Sequence, residues 1–337
     1  MKSRERVKRA IHFKGPDRVP ISHAILPAAQ LKYGQALQEI LDQVHEDFGW
    51  HLLSDMKPED FPPLYRKGKN YDDFGTLWQV EMEGICGIPI EYPFADWSNY
   101  EDYQWPEFDA GPPKARLYSG HMAGYNEEYY ARGAWITFFE QMQQLRGMEN
   151  LILDLAYRSK EVYRLRDDLL AFNLRWLDKW LALEYDGLHF ADDWGAQNAL
   201  MIDPVFWREF FKPVYKTMFE KVKAKDLDVH FHSDGYIIDI IPDLIDLGVD
   251  VLNCQVSVIG IERLGNEFAG KVCFRTDLDS QKIMPFGSPQ EVRTHILHVF
   301  ENLGTPDGGI IACGEIGPDI PLENIRTMYQ TFMEYYY

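Results

Sequence analysis

Cysteine is scarce. There are four in 337 residues (Cys86, Cys254, Cys273 and Cys313), and no two form a C-x-x-C pair. That is too few and too scattered for a disulfide framework. The plain reading of each is a small buried hydrophobe. Cations are also short: 34 Lys and Arg stand against 53 Asp and Glu, a net charge of −19. Phosphate backbones and anionic lipid repel such a chain, so neither nucleic acid nor a membrane surface is an expected partner unless a local basic patch hides in the totals. No apolar run reaches the length that spans a bilayer, which is about 18 residues. The N-terminal MKSRERVKRAIHFKG has no apolar signal-peptide core, so a cytoplasmic location is expected. No Gly-x-Gly-x-x-Gly follows an apolar run, which disfavours a dinucleotide-binding sheet. With 46% hydrophobic and 26% charged residues the composition is that of a globular chain, not a disordered or coiled-coil one.

What is present is alternation. The spacing of Val7, Ala10 and Ile11 predicts a first helix over residues 3–13, stopped by Gly15-Pro16. A short strand is expected at Arg18 to Ser22. Residues 55–115 are rich in Pro, Asp, Tyr and Trp with weak periodicity, and read as an irregular insertion or cap. From about residue 130, short apolar runs alternate with helical stretches. The runs are Ala134–Phe138, Gly187–Ala191, Val229–Phe231, Val249–Leu252, Val272–Arg275 and Gly309–Ala312. The helices between them are expected near 159–184, 204–225, 237–247, 289–303 and 321–336. Ser159, Asp203-Pro204, Ser288-Pro289 and Pro321 open them, and Gly248 and Gly304 close them. Strands alternating with helices mean a parallel sheet. Six runs, one more near Val19 and one near Ile88–Glu91, make the eight strands of an α/β fold, a (β/α)8 TIM barrel.

Such a barrel carries its active site at the carboxyl ends of its strands. The residues found there are Asp192-Asp193-Trp194-Gly195, His230 to Gly235, Asn253-Cys254-Gln255, Arg275 with Asp277 and Asp279, and Cys313-Gly314-Glu315. Strand side chains alternate, so His230, His232 and Asp234 share a face, whereas Asp192 and Asp193 cannot both point inward. Imidazole, carboxylate and thiolate from His232, Asp234 and Cys313 would make a three-ligand zinc site with an open fourth position. The alternative is a metal-free hydrogen-bonded loop. Arg275 is suited to grip a substrate carboxylate, or else to pair with Asp277 or Asp279. If two carboxylates meet in a pocket, one pKa should rise. Trp78, Trp97, Trp105, Trp135 and Trp194 read as packing, with room for one ring at the mouth to stack on a flat substrate.

The chain resembles the uroporphyrinogen decarboxylase superfamily, which includes cobalamin-dependent methyltransferases. The resemblance rests on Arg4-Glu5-Arg6-Val7, Pro16-Asp17-Arg18-Val19-Pro20, Leu145-Arg146-Gly147, Asp192 to Gln197, His232-Ser233-Asp234-Gly235, Pro242-Asp243-Leu244-Ile245, Gly248 to Asn253 and Pro321 to Ile325. It runs over essentially the whole chain, residues 1–337, and implies one barrel domain. True uroporphyrinogen decarboxylases carry an Arg-rich stretch soon after the first strand. Here that stretch is Ile21 to Pro27, with His23 but no arginine. The methyltransferase branch binds zinc through His-x-Cys and a distant Cys. His232 and Cys313 fall on the outer two, and Asp234 replaces the middle one.

The resemblance therefore implies a methyltransferase that moves a methyl group from a small methylated substrate, in the first place a methoxylated one, to a corrinoid supplied by a separate partner protein. Its expected metal is zinc on His232, Asp234 and Cys313. The candidate catalytic groups are Asp192, Asp193 and Glu315. The candidate substrate contacts are His23, Gln197, His230, Arg275 and Asp277. The alternatives are uroporphyrinogen decarboxylase or a metal-free decarboxylase, and a non-catalytic ligand-binding barrel. A homodimer is left open.

Overall fold

The computed structural model describes residues 1–49, 57–107 and 127–336. Six parallel strands lie side by side in the order Ile310–Ile311, Cys273–Arg275, Val251–Cys254, Asp228–Ser233, Gly187–Ala191, Arg132–Ile136. Two further segments close the ring. On one side Ala312 N donates to Pro20 O (2.8 Å) and Ser22 N to Ala312 O (2.9 Å). On the other, Asp47 N donates to Ile21 O (2.9 Å) and Tyr130 N to Asp47 O (3.1 Å). The result is a (β/α)8 barrel with an N-terminal helix and an aromatic-rich insertion.

The eighth strand is thus the short segment at Asp47, not Ile88–Glu91. The latter joins Gly68–Tyr71 and Leu77–Val80 in a three-stranded antiparallel sheet of the insertion. The expectation of an irregular insertion is corrected to that extent; residues 55–56 and 108–115 of it lie outside the described residues. One ladder residue makes no apolar run, so Asp47 left no periodic signal. Its carboxylate explains two of the resemblance segments. It accepts from Ile21 N (2.8 Å) and pairs with Arg6 (2.7 Å) and Arg18 (2.8 Å). RERV and PDRVP therefore lock the barrel floor. Arg146 plays a similar part for the insertion, donating to Phe94 O and Ala95 O and stacking on Trp97.

Pleating sorts the strand residues. Leu188, Phe190, Val229, Phe231, Leu252 and Phe274 face the helices and are fully buried there, each stabilising the fold by roughly 2 kcal/mol. Phe48, Tyr130, Val251, Cys273 and Ile311 face inward and pack with Val7 and Ile11 of the helix Ser3–Ile11, which plugs the floor. The expected caps form: Ser159 accepts from Val162 N, Asp203 from Val205 N and Phe206 N, and Ser288 with Glu291 completes a capping box. The stretch 204–225 is two helices, Pro204–Phe210 and Lys212–Lys223, because Pro213 has no N–H to continue the ladder. Cys254, Cys273 and Cys313 are buried as expected, but Cys86 is exposed on the insertion.

Candidate functional site

The loops after Gly187–Ala191 and Asp228–Ser233 cross each other at van der Waals contact. Gly195 N donates to Asp234 O (3.0 Å) and Tyr236 N to Ala196 O (2.8 Å). A Cβ on Gly195 would lie 2.3 Å from Tyr236 N, and one on Gly235 would lie 2.1 Å from Gly195 O. Only glycine fits either position, and Gly235 also has φ +77°. This crossing turns Asp193 and Asp234 toward one another. Asp234 N donates to Asp193 Oδ1 (2.8 Å). Trp194, wholly buried between them in sequence, anchors the first loop by stacking on Phe139 at 4.1 Å.

His232 completes the cluster from the strand itself. Its Nδ1 lies 2.8 Å from Asn253 Oδ1. The Asn253 amide is oriented by Arg275: its Nδ2 donates to Arg275 O (2.9 Å), and its Oδ1 accepts from Arg275 Nη1 (2.9 Å). Asn253 therefore offers only an acceptor to His232, so Nδ1 carries the proton and Nε2 presents its lone pair. That lone pair faces Asp193 Oδ1 and Asp234 Oδ1, each at 3.6 Å. One ligand atom from each of Asp193, His232 and Asp234 lies within 4.8 Å of the others. Around a tetrahedral zinc with bonds of about 2.0–2.1 Å, ligand atoms sit ~3.4 Å apart, so the spacing and the N, O, O donors fit a divalent cation.

The surroundings are strongly acidic. Burial, opposed by His232 and reinforced by Asp193 and Glu315, pushes Asp234 up to about 6. Burial, then Asp193 and Asp192, lifts Glu140 well above the usual carboxylate range. Burial, Asp234 and Glu315 do the same to Asp277, with Arg275 pulling the other way. The mouth is short of positive charge, and a proton or a cation relieves it.

The expected site residues separate into those at the cluster and those elsewhere. His232, Asp234 and Asp193 meet. Cys313 is not part of that group: among the described residues, the third ligand atom beside His232 and Asp234 is Asp193. The strand of Cys313 lies three places round the sheet from that of His232, whereas Asp193 comes from the adjacent one. Cys313 is buried, and the backbone around it is tied to Thr276 Oγ1. Asp192 points away, as alternation requires. It accepts from Phe138 N, Glu140 N and Tyr215 OH. Burial pushes it up to about 7 against the pull of those bonds. With donors on every side it positions the loop and is not placed to give a proton. Glu315 is exposed, within electrostatic range of Asp234 and Asp277.

The other candidates are scattered. His23 is buried with Nδ1 on Tyr329 OH (2.8 Å). Gln197 is exposed on the loop closed by Gly195 and Leu200. His230 shares the inward face with His232 but lies deeper, with Nε2 2.9 Å from Tyr130 OH. Arg275 forms no ion pair with Asp277 or Asp279; the latter caps Gln281 N and Lys282 N.

Three residues at the mouth stand outside the expected site set, although Asn253 is among the strand-end residues and Trp135 among the rings able to stack there. Glu140 accepts from Asp193 N (3.1 Å). Asn253 sets the His232 tautomer. Trp135, exposed to 36%, stacks at 4.6 Å on His189 and lies 6.4 Å from His232. A register break in Arg132–Ile136, with Ala134 at φ +62°, turns that ring into the mouth. The strand-end rule, applied one strand earlier, reaches both Trp135 and Glu140.

A family model described as uroporphyrinogen decarboxylase (URO-D) matches residues 131–335. Among solved structures, a methyltransferase from Methanosarcina mazei superposes with a TM-score of 0.67 over 99% of both chains, at 12% identity. A dihydropteroate synthase from Coxiella burnetii, solved with pteroic acid, gives a TM-score of 0.29 over 47% of this chain and 59% of its own, at 13% identity. No curated protein matches in sequence.

Proposed function

The chain belongs to the uroporphyrinogen decarboxylase (URO-D) family, and from that premise we propose that it is a methyltransferase, passing a methyl group from a small methoxylated substrate to a corrinoid held by a separate protein. The observation that carries this reading is the presentation of His232 Nε2 between Asp193 and Asp234 at the barrel mouth. Those three residues would hold a zinc ion, with Asp193 in the place expected for Cys313. Bound there, zinc supplies a Lewis acid for the ether oxygen of the substrate.

The remaining work falls to side chains. Trp135 offers an aromatic face beside the cluster for a flat substrate. Asn253 holds the imidazole in one tautomer. Glu140, whose pKa is raised by burial and by Asp193 and Asp192, is placed to protonate the leaving oxygen. In the step this would serve, the partner's cobalt(I) would supply the electron pair for the new bond to the methyl carbon as the C–O bond breaks. Its electron pair stays on oxygen, which takes the proton of Glu140. Asp192 and Glu315, also candidate catalytic groups, are respectively filled with donors and exposed. The arginine-free stretch Ile21 to Pro27 disfavours a substrate with many carboxylates.

The test is methyl transfer to cob(I)alamin, followed by absorbance, with a panel of methoxylated aromatics and methylamines. Methylcobalamin formation that depends on Asp193 and His232 is expected. No turnover with any donor, on cobalamin and on a related corrinoid protein, overturns the proposal.

A further inference from the structure

The strand Cys273–Arg275 puts Cys273 in the inward floor cluster and Phe274 against the helices, so Arg275 points into the barrel. The residue is buried, 7% exposed. Nη1 is spent on Asn253 Oδ1. Nε is buried with no acceptor. No carboxylate among the described residues comes within ion-pair reach: Asp277 acts on it only through space, and Asp279 is turned to Gln281 N and Lys282 N. A buried charge without a counter-ion is costly, and selection for packing alone would replace it with an apolar residue.

A second guanidinium stands near it. Arg132, 1% exposed on the strand Arg132–Ile136, is pulled down to about 9 by burial and then by the like charge of Arg275, with Cys313, Tyr130 and Glu46 pulling the other way. Cys313 lies within the field of both: burial pushes its thiol up, and Arg275 and Arg132 pull it down. Two buried cations on the inner wall of a chain of net charge −19 are the reverse of the acidic mouth above them.

We propose that Arg275 and Arg132 form a carboxylate-binding subsite inside the barrel, and that the methyl donor is a monocarboxylic acid. This rests on the methyltransferase reading and names its substrate class. The unpaired Nε of Arg275 and one further N–H match the two oxygens of a carboxylate. Arg275 touches Asn253, and Asn253 touches His232. An acid seated on Arg275 therefore sends its far end, with the methyl group, toward Asp193, His232 and Asp234. The acidic rim, with Asp234, Asp277 and Glu140, disfavours a dianion such as phosphate and admits a single charge.

Binding to the full-length protein tests this without any methyl acceptor. The probes are para-methoxybenzoate and its neutral isostere para-methoxybenzamide, titrated calorimetrically. The acid is expected to bind at least about tenfold more tightly than the amide. Arg275→Gln should abolish the preference and Arg275→Lys should keep part of it, with Arg132→Gln as a second probe. Should a variant fail to fold, the preference of the native protein decides. Equal binding of acid and amide, no binding of either, or tighter binding of inorganic phosphate than of the acid overturns the subsite. Acid binding without methyl transfer overturns the methyltransferase reading alone. Methyl transfer from neutral ethers without an acid preference overturns the subsite alone.

Discussion

Asn253 Oδ1 lies 2.8 Å from His232 Nδ1, and Arg275 fixes which end of that amide faces the imidazole. The consequence is a neutral imidazole that carries its proton on Nδ1 and turns Nε2 to the carboxylates. Asn253→Ala should lower zinc affinity about 10–100-fold while leaving the fold intact. A chelator competition titration measures it, and unchanged affinity would show that the tautomer is set some other way.

The ligand set separates two outcomes. Asp193→Asn and Asp234→Asn should each strip metal from the purified protein, and Cys313→Ser should retain it. Elemental analysis after dialysis reads the result. Loss of metal in the Cys313 variant alone would restore the thiolate as a ligand.

Asp234 makes the metal-free protein pH-sensitive. Its folded pKa of about 6 lies above the usual 3.8, so the native state binds the proton more tightly than the unfolded one. Stability from this group is present below pH 3.8 and is lost as pH rises through 6. The carboxylate is 42% exposed, so screening reduces the effect to about 1 kcal/mol. Asp234→Asn should therefore raise the melting temperature of the apo protein at pH 7 by roughly 1–2 °C and leave it unchanged near pH 4. A shift of the opposite sign at neutral pH would contradict the burial of this carboxylate.

Alanine at Gly235 would place a Cβ 2.1 Å from Gly195 O, at a φ of +77°. The expected loss is about 2–4 kcal/mol together with the metal site, because the crossing loops carry two of its three ligands. Gly248→Ala, also at positive φ but with 3.6 Å of clearance, serves as the comparison: it should destabilise less and keep the metal. Equal effects of the two in thermal melts and metal content would mean the loop crossing has no special role.

The missing arginines predict that no coproporphyrinogen forms from uroporphyrinogen. Measurable decarboxylation in a porphyrin fluorescence assay would reverse the choice between the two branches.

Much of the architecture was readable from residue order, because local rules govern it. Gly187–Ala191 has the bounds expected from its apolar run, and Ser159, Asp203 and Ser288 cap the helices that their side chains announce. The pairing of His232 with Asp234 on one face follows from the two-residue pleat. Other features depend on residues far apart in the chain. The strand at Asp47 exists through bonds to Ile21 and Tyr130, not through any pattern of its own. Glu140 reaches Asp193 across 53 positions.

The third partner of His232 was decided by the ring. Alternation tells which way a side chain points, but not which strand stands next to it. Register sets Ala191 opposite His232, so the loop that continues into Asp193 arrives one strand spacing away, about 4.8 Å. Cys313 enters from three strands round, and its side chain lies in the field of the buried arginines instead. Sequence order supplied the chemistry of each strand end; closure of the barrel chose which ends share a site, because proximity there is set by hydrogen-bonded neighbours and not by distance along the chain.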